Sequence, residues 1–438
     1  MVISDLRTIV EEDQLKEGDF PHQLGNNGLY HVFPRSENEI AAILKYANQN
    51  GKKIIPVSGG TKRGFGGTTD KADILLSLSQ FKGILEHTTG DLTMTVRPGT
   101  TIKEMMDYLA NRGQMIPIDP AWPEHATIGG VISANDSGPK RLKYGSARDF
   151  VIGLRVVYPD GRVIRTGGKV VKNVAGYDMN KLFVGSMGTL GVISEVTLKL
   201  RPLPKYKSLI VLTFSEEQMK EIHPFMASVL NSVIEPVTLE CLTPDLTYQL
   251  LGERAYALAV TFEDREKAVR YQENWLKANM PQNWNCHIFR QKEAKDWWGT
   301  FSRIGPNGSL ENVTDQGNVK IALKVGSKNS DVFTILEYCH RLGKSDGLDV
   351  EAHGGMGHGI SRVYLEGDDE TLIASVEKIR QFVEQKKGYV VVQHSPLKLR
   401  QRLNIWGEKP NYFSLLEGIK RAIDPNGVLN PNRFVGGL

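Results

Sequence analysis

The chain has 438 residues, a formal net charge of +4 from 54 Lys and Arg against 50 Asp and Glu, 40% apolar residues and three cysteines. That length suits two or three domains with cores of their own, at roughly 100 to 200 residues each. The small charge surplus excludes the basic footprint of a nucleic-acid binder, and Cys241, Cys286 and Cys339 are too scattered for a disulfide framework or a CxxC metal site.

Residues 34–50 predict a helix with Ser36 at the N-cap, Glu39 completing a capping box, and Ile40, Ile43, Leu44 and Ala47 on one face. A strand over 53–57 runs into the loop PVSGGTKRGFGG (56–67), and a second strand follows at 73–78. Next come a strand at 93–96, a helix at 98–112 and a strand at 114–118. From Phe150 the pattern turns to hairpins around Pro159-Asp160-Gly161 and a period-two run over 191–200. Pro202 and Pro204 mark a linker, so one domain is expected over 1–204. A second, over 205–400, reads β-α-β-β-α across 208–278 and β-α-β-β-α-β across 319–395. Two such split units would build an antiparallel sheet covered by helices on one face. The tail 401–438, a helix at 413–422 and then DPNGVLNPNRF, is too short to stand alone and should pack back on the first domain. The expected class is α+β. The acidic N-terminus does not read as a signal peptide, and no window approaches the ~18 apolar residues of a membrane span, so the expectation is cytoplasmic, with at most peripheral membrane contact through a partner.

Residues 51–191 hold 22 of the 44 glycines, which implies many positions of positive φ or close approach. Neither Gly64-Phe65-Gly66 nor Gly355-Met356-Gly357 continues into GxGxxG, and Tyr338 stands where a phosphate loop ending in Gly343-Lys344-Ser345 would need glycine. Three small-residue loops remain: 56–67, ATIGGVISANDSG (126–138) and GSMGTLGVIS (185–194). Each offers consecutive unobstructed N–H groups, with Ser58, Thr61, Thr127, Ser133, Ser137 and Thr189 as further donors, as a diphosphate requires. A turn-rich β domain that consumes the glycines is the rival reading.

The order and spacing of these loops resemble the FAD-binding oxidoreductases typified by vanillyl-alcohol oxidase and p-cresol methylhydroxylase (PCMH). The likeness implies a two-part FAD-binding domain of the PCMH type followed by an α+β cap. It implies FAD contacts from Pro56, Val57, Ser58, Gly59, Gly60, Thr61 and Gly64 in the first loop. In the second segment, 117–138, it points to Pro120, Thr127, Gly129, Gly130, Ala134, Asn135, Ser137 and Gly138. Gly188, Thr189, Gly191, Val192 and Ile193 supply the third loop, and Asn430 the tail. With no His or Cys in 56–67 or 126–138, the FAD should be non-covalent. Residues 137–202 are most similar to the FAD-binding E subunit of bacterial glycolate oxidase.

Members of the family that act on 2-hydroxy acids carry His-x-Gly-Asp-Gly-Asn-x-His. Here the stretch reads Glu351-Ala352-His353-Gly354-Gly355-Met356-Gly357-His358-Gly359-Ile360, with His353 in place, Met356 for the acid, Ile360 for the second histidine and His358 two residues early. An imidazole suits proton abstraction from a hydroxyl beside a carboxylate, so His353 and His358 are the catalytic candidates, against a plain turn role. No metal ligands are assigned. The damaged signature and the E-subunit likeness favour an FAD subunit of a glycolate oxidase or 2-hydroxy-acid dehydrogenase complex, partnered by a larger FAD-binding sister subunit and an iron–sulfur subunit. A self-sufficient dehydrogenase of a small 2-hydroxy acid, glycolate or D-lactate, is the alternative. Nine basic residues fall within 139–172, and Lys140, Arg141 and Lys143 directly follow the second loop. They would neutralise the diphosphate, guide an anionic substrate or meet a partner.

Overall fold

The computed structural model describes residues 2–18, 22–69, 72–169, 177–310 and 319–438. Lys172 of the basic run, and 170–176 of the stretch 137–202, lie outside them.

The strands β1 (Leu15–Glu17), β2 (Gly28–Val32), β3 (Ile54–Val57) and β4 (Ala72–Ser77) form a sheet in the order β1-β2-β4-β3, with β4 parallel to both its neighbours. The crossover between β2 and β3 is the helix Glu37–Gln49, in which the Ser36 side chain accepts from Glu39 N at 3.2 Å and Ile40, Ile43, Leu44 and Ala47 are buried. Then follow β5 (Ile84–Thr88), β6 (Thr93–Val96), β7 (Gln114–Met115), β8 (Val151–Val157), β9 (Val163–Gly167) and β10 (Val192–Lys199). All but β7 make an antiparallel sheet in the order β5-β6-β10-β8-β9. β7 pairs with β11 (Arg201–Pro202), and the strand expected over 114–118 stops after two residues, ahead of Pro117, which has no ladder N–H to give. The second loop contains an unforeseen helix, Ile128–Ala134. Its two glycines argue against helix, but Ile128, Val131 and Ile132 are spaced to enter the core as one face, and a Cβ on Gly129 would lie 2.6 Å from Pro98 Cβ.

The remaining strands are β12 (Tyr206–Phe214), β13 (Thr238–Leu242), β14 (Tyr256–Asp264), β15 (Asn285–Arg290), β16 (Val319–Gly326), β17 (Asp349–Gly355), β18 (Ile360–Gly367) and β19 (Tyr389–His394). They form one antiparallel sheet in the order β15-β12-β14-β13-β17-β18-β16-β19. Each half is a β-α-β-β-α-β unit, and the halves join edge to edge where β13 meets β17. β15, which completes the first unit, was not anticipated: it is an edge strand with no fully buried residue, so no apolar alternation marks it. Four helices, Ile222–Leu230, Glu266–Asn279, Val332–Asp346 and Asp369–Gln385, cover one face. The expectation of helices on one face needs correction. The other face carries Pro244–Leu251 and Lys292–Phe301, with Leu246, Ala294, Trp297 and Phe301 packed on Leu209, Val211, Ala257 and Ala259.

The tail lies along the free edge of β3. Ile54 N donates to Val428 O at 2.8 Å and Asn430 N to Ile54 O at 2.9 Å. Asp424, 2% exposed, accepts from Val428 N (2.8 Å), Leu429 N (2.9 Å) and Lys420 Nζ (2.6 Å). Lys420 also donates to Thr189 O and Leu429 O. Asp424→Ala strands the two amides and removes the only charged partner of the three that hold Lys420 among the described residues, and should cost about 2 kcal/mol in urea unfolding.

Candidate functional site

The three glycine loops and the tail converge at the C-terminal end of β3. Gly59 N approaches Thr127 Oγ1 at 3.4 Å, which joins the first loop to the second. Gly185 N donates to Ile132 O (2.9 Å) and Met187 N to Ser133 O (2.8 Å), which seats the third loop on the helix Ile128–Ala134. Asn430 Nδ2 donates to Met187 O at 2.7 Å, and a Cβ on Gly188 would meet Asn430 Nδ2 and Pro56 Cγ, each at 3.2 Å. Residues Pro56, Ser58, Gly59, Thr127, Asn135, Gly188 and Asn430 therefore share one locality. Others turn away. Gly64 backs onto His394, Gly191 packs against Val156, and the Val192 and Ile193 side chains enter the cores, leaving only their backbone for a ligand.

A cavity of about 880 Å³ lies between the ends of the first two loops and the cap sheet. Thr61, Pro120, Ser137 and Gly138 line its near side, and Glu240, His353, His358, Arg362, Tyr364 and His394 its far side. The far wall follows from strand register. His353 stands opposite Leu242 on β13 and opposite Arg362 on β18. Side chains alternate along a strand, so Glu240, two before Leu242, and Tyr364, two after Arg362, share that face. The seam between the two half-sheets thus gathers a carboxyl, an imidazole, a guanidinium and a phenol. Only His353 was anticipated there. Glu240, Arg362 and Tyr364 sit in ordinary-looking strands, and pairing alone unites them.

His353 Nδ1 lies 2.6 Å from Glu240 Oε1, and its Nε2 lies 3.3 Å from Tyr364 Oη. The first contact has ion-pair length, yet burial opposes two charges: it pushes Glu240 up to about 7 and His353 down to about 3, the latter helped by the Arg362 charge. Where Glu240 is ionised, above about 7, it accepts from Nδ1–H of the neutral imidazole, which leaves the Nε2 lone pair facing Tyr364. Burial raises the Tyr364 pKa, so it stays a phenol and donates. His358 is lowered by burial as well. It closes the turn, its Nδ1 accepting from Ile360 N at 3.3 Å, and its Nε2 is 3.9 Å from Glu240 Oε2, so both histidines reach one carboxyl. Gly355 makes room: a Cβ there would fall 2.1 Å from the His358 ring. Arg362 Nη2 reaches Asp136 Oδ1 at 3.4 Å, while Nη1 is buried without a partner among the described residues. Asp136 is anchored by Lys62 at 2.8 Å.

The basic residues after the second loop face the cap. Lys140 Nζ and Lys207 Nζ bind Glu263 at 2.9 and 2.8 Å, and Lys143 approaches Glu235 at 3.7 Å. Burial would raise Glu263, but the two ammonium groups overcome it and hold its pKa at about 2. These lysines fasten the second loop to β12 and β14.

The junction fits FAD. Ser58 Oγ and Asn135 Oδ1 are buried there without partners among the described residues, Asn135 adopts φ 47°, and only Thr127 Oγ1, at 3.3 Å, approaches the Cβ position of Gly130. These are the free polar groups and open backbone a diphosphate and ribityl chain would use. Known proteins agree. The FAD binding domain family matches residues 29–167. Glycolate oxidase subunit GlcD of Bacillus subtilis is 38% identical, over 92% of this chain and 88% of its own. D-2-hydroxyglutarate dehydrogenase of Stutzerimonas stutzeri is 25% identical, over 99% and 98%. This glycolate oxidase relative is a D subunit, where the sequence likeness pointed to E. Among solved structures, 4-ethylphenol oxidase from Gulosibacter chungangensis superposes with TM-score 0.77 at 17% identity, over 98% of this chain and 96% of its own. p-Cresol methylhydroxylase superposes with 0.75 at 17%, over 98% and 95%, and these two show the fold. Among the described residues no helix is long and apolar enough to cross a membrane. The chain has the fold of these two oxidoreductases and belongs to the family of FAD-dependent 2-hydroxy-acid oxidoreductases that includes this glycolate oxidase subunit.

Proposed function

We propose that this chain itself oxidises a small 2-hydroxy acid to the 2-oxo acid at the β13/β17 seam, holds FAD non-covalently on the three loops and Asn430, and passes electrons to an iron–sulfur partner. The observation that supports this reading is the grouping of Glu240, His353, Arg362 and Tyr364 on the wall of a cavity that the ends of the first two loops also line. Arg362 Nη1 binds the substrate carboxylate, which places the neighbouring hydroxyl at His353 Nε2. His353 takes that proton, and Glu240 stabilises the imidazolium through Nδ1–H. Bound FAD supplies the acceptor for the C2 hydride. The test is anaerobic mixing of the isolated, flavin-loaded chain with glycolate or D-lactate: bleaching of the flavin is expected. Bleaching confined to an assembly with a larger FAD-binding sister subunit would support the accessory role instead. That second reading draws on Met356, buried where the family signature has its acid, and on the relative named a subunit.

Glu240 sets the pH dependence. Its pKa of about 7 exceeds the ordinary 4.5, so the fold holds this proton more tightly than the unfolded chain does. The carboxyl favours folding below pH 4.5 and costs stability increasingly up to about 7. Activity runs the other way, since the carboxylate is the working form. Flavin reduction should rise through one ionisation near pH 7, and Glu240→Gln should abolish that step in stopped-flow traces.

The glycines divide by the same geometry. A Cβ on Gly59 would fall 1.9 Å from His125 O, so Gly59→Val should lower the unfolding temperature with or without flavin. Gly130→Leu should leave the flavin-free unfolding temperature unchanged and weaken FAD binding by ~10-fold or more, equivalent to about 1.4 kcal/mol in a titration.

A further inference from the structure

Three guanidiniums, Arg63, Arg400 and Arg433, meet behind the first loop. Arg400 is 3% exposed and Arg433 8%. Arg400 Nη1 donates to Arg63 O at 3.0 Å and its Nη2 to Leu24 O. Arg433 Nη2 donates to Lys62 O at 2.9 Å and to Arg63 O at 3.4 Å. Arg63 Nη2 donates to Asn27 Oδ1 at 2.7 Å and to Asn26 O at 3.5 Å. Every partner is neutral, and the Nε of each arginine is buried without a partner among the described residues.

By contrast, Lys140 and Lys207 share Glu263, Lys62 and Arg362 share Asp136, and Lys420 has Asp424. The three arginines have none among the described residues. Burial accordingly lowers Arg63 and Arg400 to about 10 and Arg433 to about 9, where the other two charges add to it. Two histidines beside them add no charge, because burial and the neighbouring guanidiniums lower His394 to about 3 and His22 to about 4. Charge buried without a partner is costly, and a fold keeps it where a counter-charge arrives from outside. Arg400 and Arg433 grip the carbonyls of Lys62 and Arg63, immediately after the loop residues Ser58 to Thr61.

We propose that Arg63, Arg400 and Arg433 are the buried counter-charge for the diphosphate of FAD, positioning the first loop through its carbonyls and remaining uncompensated until the cofactor binds. The inference rests on the assignment of FAD to these loops. It predicts that the apoprotein selects ligands by phosphate charge as well as by flavin.

The test uses the full chain stripped of flavin and titrated with FAD, ADP, AMP, adenosine and riboflavin. Wild-type affinity should climb from adenosine to AMP to ADP. Arg400→Met and Arg433→Met should each weaken FAD and ADP by ~30-fold or more and leave riboflavin unchanged, and Arg400→Lys and Arg433→Lys should recover most of the loss. Equal losses for FAD and riboflavin, or lysine variants no better than methionine, would show that the arginines act by packing alone and overturn the proposal. So would a flat adenosine-to-ADP series in the wild type, which is decisive even where a methionine variant fails to fold. A wild-type chain that binds neither FAD nor ADP would refute the FAD assignment itself.

Discussion

His353→Ala is expected to leave FAD in place and to slow reduction of the flavin by a 2-hydroxy acid by ~10² to 10⁴-fold, the usual worth of a positioned general base. The expectation rests on tautomer control. With Nδ1 2.6 Å from Oε1 of an ionised Glu240, the proton is held on the Glu240 side of the ring and the lone pair is left at Nε2, 3.3 Å from the Tyr364 hydroxyl on the cavity wall. His353 also packs against Phe301, with ring centroids 4.8 Å apart, so the variant should lose stability too. Rate per flavin-loaded molecule separates the two roles: a turn histidine would lower the unfolding temperature and leave that rate unchanged. His358→Ala should have the smaller effect on rate, because its Nδ1 serves the turn and its Nε2 reaches Glu240 only at 3.9 Å.

Arg362→Met is expected to lower kcat/KM for a 2-hydroxy acid by ~30- to 1000-fold, mostly through KM. Removing one member of a buried charge pair costs about 2–5 kcal/mol. Nη1 has no partner among the described residues and Nη2 reaches Asp136 only at 3.4 Å, so this guanidinium keeps most of its bonding capacity for a carboxylate. Asp136 retains Lys62 at 2.8 Å when Arg362 is lost, which limits the damage to the fold. A variant with unchanged KM would remove Arg362 from the binding site. Arg362→Lys should recover only part of the affinity, since an ammonium cannot make the paired contacts of a guanidinium.

Local chemistry was legible wherever one segment carries it. The helix at Glu37–Gln49 announces itself by Ser36, Glu39 and four apolar residues in register, and the glycine loops by composition. The pairs of split units were legible from element order, except β15, whose edge position removes the alternation that would reveal it. The helix Ile128–Ala134 was missed because Gly129 counts against helix locally, whereas its close approach to Pro98 is what makes the glycine necessary.

The sequence by itself determined the α+β class, the loops that suit a diphosphate and His353 and His358 as candidate bases, because turn chemistry, periodicity and unobstructed backbone are properties of neighbours in the chain. The tertiary structure decided the site. Glu240 is 113 residues from His353, and the two meet only because β13 pairs with β17. Likewise Arg400 and Arg433 reach the first loop only once the cap and the tail have folded over it. Burial then does what no linear pattern records: it moves the ionisation of Glu240, His353 and the arginines, since the cost of a charge depends on what surrounds it in space.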